Sequence, residues 1–206
     1  MTARLIGRSS SSFTRVTRLF AAELGAPYEL VVVRDLMSAN AADYAGNPAL
    51  KLPVLETAAG NWYGALNICR AFERLAGQEQ RLIWPEDLRE PLLANAQELT
   101  LHALATEVAL VMSKLGGADP SSAHQSKMAT SLRNVMAWLD ANVSAVLAAL
   151  PEERDLSYLE ATLFSLVTHL EFREVLPMAD YPALVAFEQR FAERPSARAT
   201  PYRFDP

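Results

Sequence analysis

Two stretches of this chain hold residue types whose spacing suits chemistry. The first is the run Ser9-Ser10-Ser11-Ser12, set between the short apolar segment Arg4-Leu5-Ile6-Gly7 and a helical pattern in Val16, Leu19, Phe20 and Leu24. A hydroxyl at the leading end of a helix favours an anion by donating a hydrogen bond and by sitting at the positive end of the helix dipole. For a thiol, whose free pKa is ~8.5, a two-unit drop at such a place is worth ~2.7 kcal/mol of differential stabilisation. The structural alternative is that one serine caps the helix and the rest are loop.

The second stretch is Asn47-Pro48-Ala49-Leu50-Lys51-Leu52-Pro53-Val54-Leu55. Proline cannot donate to a sheet ladder, so Pro53 belongs at the start or edge of the strand Val54-Leu55-Glu56, with the peptide groups ahead of it unpaired. Such groups accept an extended peptide as an added strand. A cis Leu52–Pro53 bond turns the Leu52 main chain outward, whereas a trans bond makes an ordinary loop-to-strand turn. Other chemistries find less support. There is no G-x-S-x-G turn for a serine hydrolase, so a serine here serves as donor and not as nucleophile. His102, His124 and His169 are scattered, with no pair at metal-ligand spacing, and no metal is expected. Cys69 falls on an inward helix face as a small core residue.

The elements that must position these residues follow from periodicity. Arg4–Gly7 reads as a strand, the pattern from Val16 to Leu24 as a helix stopped by Gly25 and Pro27, and Tyr28 to Val33 as a second strand, together a parallel β-α-β unit. Ser38 to Gly46 leads to the Pro53 strand. Val54–Thr57 and Asn61–Tyr63 form a hairpin across Ala59-Gly60, and Ala65, Ile68, Cys69, Phe72 and Ala76 line a helix ended by Gly77. Gln78 to Pro91, with Trp84-Pro85-Glu86-Asp87, reads as a linker. Beyond it the pattern is helical throughout: Leu92 to Leu115, a stripe of Met128, Leu132, Val135, Leu139, Val143, Val146 and Leu150, a capping box in Ser157-Tyr158-Leu159-Glu160, and a last helix from Pro182 to Glu193.

Composition narrows the function classes. The 206 residues are 50% hydrophobic and 21% charged, an ordinary globular balance, and 19 Lys and Arg against 24 Asp and Glu leave a net charge of -5. Without a basic stripe to neutralise phosphates, no nucleic-acid partner is expected. The greasiest stretch, Leu101 to Met112, is broken by Thr106 and Glu107 and falls short of the ~20 residues that cross a bilayer, so no membrane segment is expected. Residues 1–7 are too short an apolar run for a secretion signal, and a lone cysteine suits a reducing cytoplasm.

The order of elements, with Arg18-Leu19-Phe20-Ala21-Ala22-Glu23-Leu24-Gly25-Ala26-Pro27-Tyr28-Glu29, Asn47-Pro48, Lys51-Leu52-Pro53-Val54-Leu55, Ile68-Cys69-Arg70, Trp84-Pro85-Glu86-Asp87 and the Ser157 capping box, resembles the glutathione transferase superfamily, serine type, along the whole chain. The resemblance implies an α/β plus all-α fold: an N-terminal thioredoxin-like β-α-β-α-β-β-α domain over residues 1–78, a linker over 79–90 and an all-helical bundle domain over 91–206. It also implies a cytoplasmic homodimer, formed between the small domain of one subunit and the helical domain of the other, that conjugates glutathione as co-substrate to a small hydrophobic electrophile in detoxification. Counting back from Glu23-Leu24-Gly25 places Ser11 at the sulfur-binding serine, with Ser9, Ser10 and Ser12 as alternative registers. Lys51 corresponds to a cation for the glycine carboxylate, Leu52 ahead of Pro53 to the main chain that pairs with the cysteine portion, and Ala65 and Leu66 to amides at a helix start that receive the γ-glutamyl carboxylate.

This chain departs from the family where an acidic residue and a serine usually grip the γ-glutamyl group, having Gly64-Ala65 instead. Each charge-assisted hydrogen bond lost there is worth ~1.5–3 kcal/mol, or roughly ten- to over a hundredfold in affinity. Asn67 is the nearest residue to offer the ammonium an amide oxygen. The competing reading is a binding or regulatory protein that keeps the fold without the activity; a third is a binder of a non-glutathione peptide or acid. Tyr202, Phe204 and the helix from Leu92 to Leu115, which includes His102 and Met112, either line an apolar pocket for a second substrate or serve bundle and tail packing.

Overall fold

The computed structural model describes residues 2–77 and 79–206. The chain divides into two compact units, Met1–Gln80 together with Ala192–Pro206, and Arg81–Phe191.

In the first unit β1 (Ala3–Gly7), β2 (Tyr28–Val32), β3 (Val54–Thr57) and β4 (Gly60–Tyr63) form one mixed sheet in the order β2-β1-β3-β4. β1 runs parallel to β2 through the crossover helix α1 (Ser12–Glu23) and antiparallel to β3, and β3 to β4 is a hairpin. Leu5 and Ile6 of β1 and Val54 and Leu55 of β3 are buried, as central strands require. α2 (Ala65–Ala76) ends at Gly77, whose φ of 61° supplies the left-handed cap. α1 packs on α2, with Val16, Leu19 and Phe20 of the one and Ile68, Cys69 and Phe72 of the other fully buried. This is the thioredoxin-like arrangement that the resemblance implies, with a 3-10 turn over Ala41–Tyr44 in place of the helix between β2 and β3.

The second unit is helical: α3 (Pro91–Leu115), α4 (Ala123–Ala149), α5 (Tyr158–Phe172) and α6 (Pro182–Ala192), whose final residue lies past the boundary. α5 is buried nearly all round, as its apolar sequence requires. On α4 the stripe is tilted from the expected one. Leu132, Leu139, Val143 and Val146 are buried, but Met136 takes the core place expected for Val135, and Met128 is half-buried. Two features differ from the sequence reading. The linker and the stretch before α5 hold two-residue strands, β5 (Leu82–Ile83) and β6 (Leu156–Ser157), paired in parallel and too short for alternation to register. In addition, residues 192–206, expected within the helical domain, pack with the first unit through α7 (Pro195–Ala199). The Glu23 carboxylate at the end of α1 draws them there, accepting from Arg194 Nε at 2.7 Å and from the Ser196 hydroxyl. Among the described residues no helix is long and apolar enough to cross a membrane.

Candidate functional site

Strand register gathers the sequence-predicted residues. Ile6 lies opposite Val54, and Val54 opposite Tyr63, so the residues after β1, before β3 and after β4 all emerge at one end of the sheet. Ser11, Leu52-Pro53 and Gly64-Ala65 therefore share that end.

Ser11 is the N-cap of α1, with extended φ and ψ of -100° and 127°. Its Oγ accepts the Thr14 N–H at 3.3 Å, its N–H donates to the Arg8 carbonyl at 3.2 Å, and its carbonyl accepts from Arg15 at 2.9 Å. Capping uses the hydroxyl oxygen and leaves the hydroxyl proton to be given elsewhere, so the cap and thiol-donor readings are compatible. Of the four serines, Ser9, Ser10 and Ser12 are 0, 2 and 0% exposed, and Ser11 alone is half-buried. Gly7 allows the first turn of α1 to close on β1, because a Cβ there would stand 2.6 Å from Thr14 Cγ2.

The loop ahead of β3 is held by Asn47, a residue whose positioning role the sequence reading missed. It is buried, accepts the Ala49 N–H on Oδ1 at 3.0 Å and donates from Nδ2 to the Lys51 carbonyl at 2.8 Å. The signal was the Asn-Pro pair, since an asparagine side chain mimics a backbone turn. Leu50 takes the left-handed conformation at φ 53°, uncommon for a leucine, and the Leu52–Pro53 peptide bond is cis. The Leu52 side chain packs on the cluster of Ile6, Val33, Tyr44 and Val54. Its amide and carbonyl form no hydrogen bond among the described residues, so its main chain is available to an extended ligand. Lys51 is exposed, and its ammonium has no partner among the described residues.

At the start of α2, Gly64 sits at φ 83° with no side-chain cap, and the first turn contains no acidic residue. A Cβ at Gly64 would meet nothing within 4 Å, but its φ of 83° is a conformation that side chains rarely adopt. Ala65 is buried, and the first-turn amides of α2 keep the unsatisfied N–H groups and positive end common to helix starts. Asn67 is tied back to β4, donating from Nδ2 to the Tyr63 carbonyl at 3.1 Å.

The remaining candidates lie elsewhere. Cys69 is fully buried with its sulfur 3.9 Å from the Val16 carbonyl, and burial pushes its thiol well above the ordinary range, which makes it an inert core residue. His169 Nδ1 lies 2.7 Å from Glu107 Oε2 between α5 and α3, both side chains buried; a pair 62 residues apart leaves no trace in local sequence. His102 pairs with Glu98 on the surface of α3. No group of three or more metal-ligating side chains occurs among the described residues. Tyr202 lies under the Arg15 guanidinium at 4.4 Å, and Phe204 is exposed.

Residues 10–75 match the family model for the glutathione S-transferase N-terminal domain. No curated protein matches the sequence significantly. Among solved structures, a glutathione S-transferase from Methylobacterium radiotolerans in complex with glutathione sulfonate is similar at 21% identity and a TM-score of 0.75, over 100% of this chain and 98% of that one. A glutathione S-transferase from Methylobacillus flagellatus with glutathione bound is similar at 20% identity and 0.75, over 98 and 100% of the two chains. A glutathione transferase family member from Pseudomonas fluorescens with bound glutathione is similar at 18% identity and 0.75, over 98 and 100%. Residues 10–75 thus match a glutathione S-transferase N-terminal domain, and the chain over its length shares the fold of these glutathione transferase structures.

Proposed function

We propose that this chain binds glutathione, or a closely related thiol, and transfers it to a small hydrophobic electrophile, as a homodimer. The observation that carries the reading is the Ser11 hydroxyl, at the leading end of α1 on a half-buried residue and at the same end of the sheet as the unpaired main chain of Leu52. In this reading the Ser11 hydroxyl donates a hydrogen bond to the sulfur and favours its thiolate, the thiol proton passing to solvent. The Leu52 main chain pairs with the cysteine portion ahead of Pro53, Lys51 meets the glycine carboxylate, and the Ala65 and Leu66 amides receive the γ-glutamyl carboxylate. Support comes from the bound glutathione or glutathione sulfonate in structures of like fold.

A second reading, a non-catalytic binding protein, is favoured by Gly64-Ala65 and the lack of any acid in the first turn of α2. Titration calorimetry with glutathione separates the two. Binding at micromolar to submillimolar concentration is expected, together with a loss of turnover of about tenfold or more in Ser11→Ala, as for removal of a positioned donor. No heat at millimolar glutathione would overturn the transferase reading, and an unchanged rate in Ser11→Ala would remove the serine from it.

A further inference from the structure

Within the first unit, residues 202–205 lie against the loop between β1 and α1. The Asp205 carboxylate accepts the Ser9 N–H at 2.7 Å and is itself 4% exposed, while the Arg15 guanidinium sits over the Tyr202 ring at 4.4 Å. Ser9 lies two residues before Ser11, and Arg15 follows it by one helical turn, so the segment is fastened to residues on both sides of Ser11 along the chain. A second observation is independent of the first. The hydroxyls of Ser9, Ser12 and Thr14 are fully buried and have no hydrogen-bond partner among the described residues. A buried hydroxyl without a partner is costly, and those of Ser9 and Ser12 mark polar capacity that the strapped arrangement leaves unused, while Thr14 Oγ1 faces Gly7 of β1.

We propose that residues 202–205 form a self-blocking strap, in which Asp205 stands at the leading end of α1 in place of an anionic thiol ligand and must leave before that ligand can bind beside Ser11. The inference rests on the reading of Ser11 as a thiol site. A carboxylate and a thiolate seek the same positive helix end, so the two compete. The apparent affinity for the ligand is then reduced by the fraction of time the strap is open.

The test is calorimetry with glutathione on the full chain and on Asp205→Ala and Asp205→Asn, paired with hydrogen exchange over residues 8–12 and 202–206. Asp205→Ala is expected to bind glutathione about tenfold more tightly than the parent, with Asp205→Asn between them, from loss of one charge-assisted hydrogen bond. In the parent, glutathione should speed exchange in 202–206 while protecting 8–12. Equal affinity in all three proteins, or strap exchange untouched by glutathione, overturns the strap and leaves the Ser11 reading standing. Weaker binding by the parent than by Asp205→Ala supports it, and no heat from any of the three proteins overturns both. If the Asp205 variants fail to fold, Tyr202→Ala carries the same comparison, since it loosens the strap without altering the carboxylate.

Discussion

The Ser11 hydroxyl has an oxygen and a proton, and the fold spends only the oxygen, on the Thr14 amide. A serine read from sequence as either helix cap or thiol donor is thus able to be both, and the choice between those roles was never forced. Cys69 shows the opposite case, a reactive residue type silenced by its surroundings. Burial holds its thiol well above the ordinary thiol range, so the folded state keeps a proton that the unfolded chain gives up. Stability from this group is fully present below about pH 9 and falls as pH rises, with a limiting slope of ~1.4 kcal/mol per pH unit. Urea unfolding of the parent and Cys69→Ala between about pH 8 and 10.5 should show a steeper alkaline decline in the parent. Tyr44 and Tyr181, also raised by burial, act in both proteins; identical slopes would show that the cysteine contributes nothing. At this scale the sequence exposed Ser11, Pro53 and the Gly64-Ala65 departure, because each sits at a recognisable offset from a turn or helix start. It hid Asn47 as a loop brace and the Glu107–His169 pair, which depend on side chains meeting in space.

Among the elements, α5 has the most elaborate start. Ser157 Oγ accepts the Glu160 N–H at 3.0 Å and donates to Glu160 Oε2 at 2.7 Å, and Arg154 contacts both oxygens of that carboxylate at 2.8 Å. Glu160 thus turns to the serine hydroxyl and an arginine, where the expected capping box has it reach back to the N-cap amide. The hydrogen bond to Glu160 also pushes the Arg154 guanidinium above its ordinary range. Ser157→Ala removes the cap and one partner of a largely buried carboxylate, and should cost ~1–3 kcal/mol of unfolding free energy in urea. A loss under about 0.5 kcal/mol would mean that Arg154 alone secures the helix start. The cap was legible because serine and glutamate stand three apart ahead of an apolar run. The β5–β6 pairing that meets it was not, since two-residue strands carry no period.

For the whole molecule, the homodimer proposed above has large apolar side chains available on both units, Leu75 on the first and Leu115 on the second, 55 and 65% exposed. Sedimentation should give a particle of twice the chain's 22.6 kDa; a single species at the chain mass would refute the dimer. The architecture was largely readable from the sequence, because periodicity and stop signals mark its longer elements. The return of residues 192–206 to the first unit was not, since that depends on Arg194 and Ser196 finding Glu23. That return makes the first unit discontinuous. Glu23 leaves the ribosome 171 residues ahead of Arg194, so all of the helical unit is translated before the clasp on the far end of α1 can shut. The portion synthesised earliest is therefore the portion completed last, and its sheet and two helices must endure the interval half-finished.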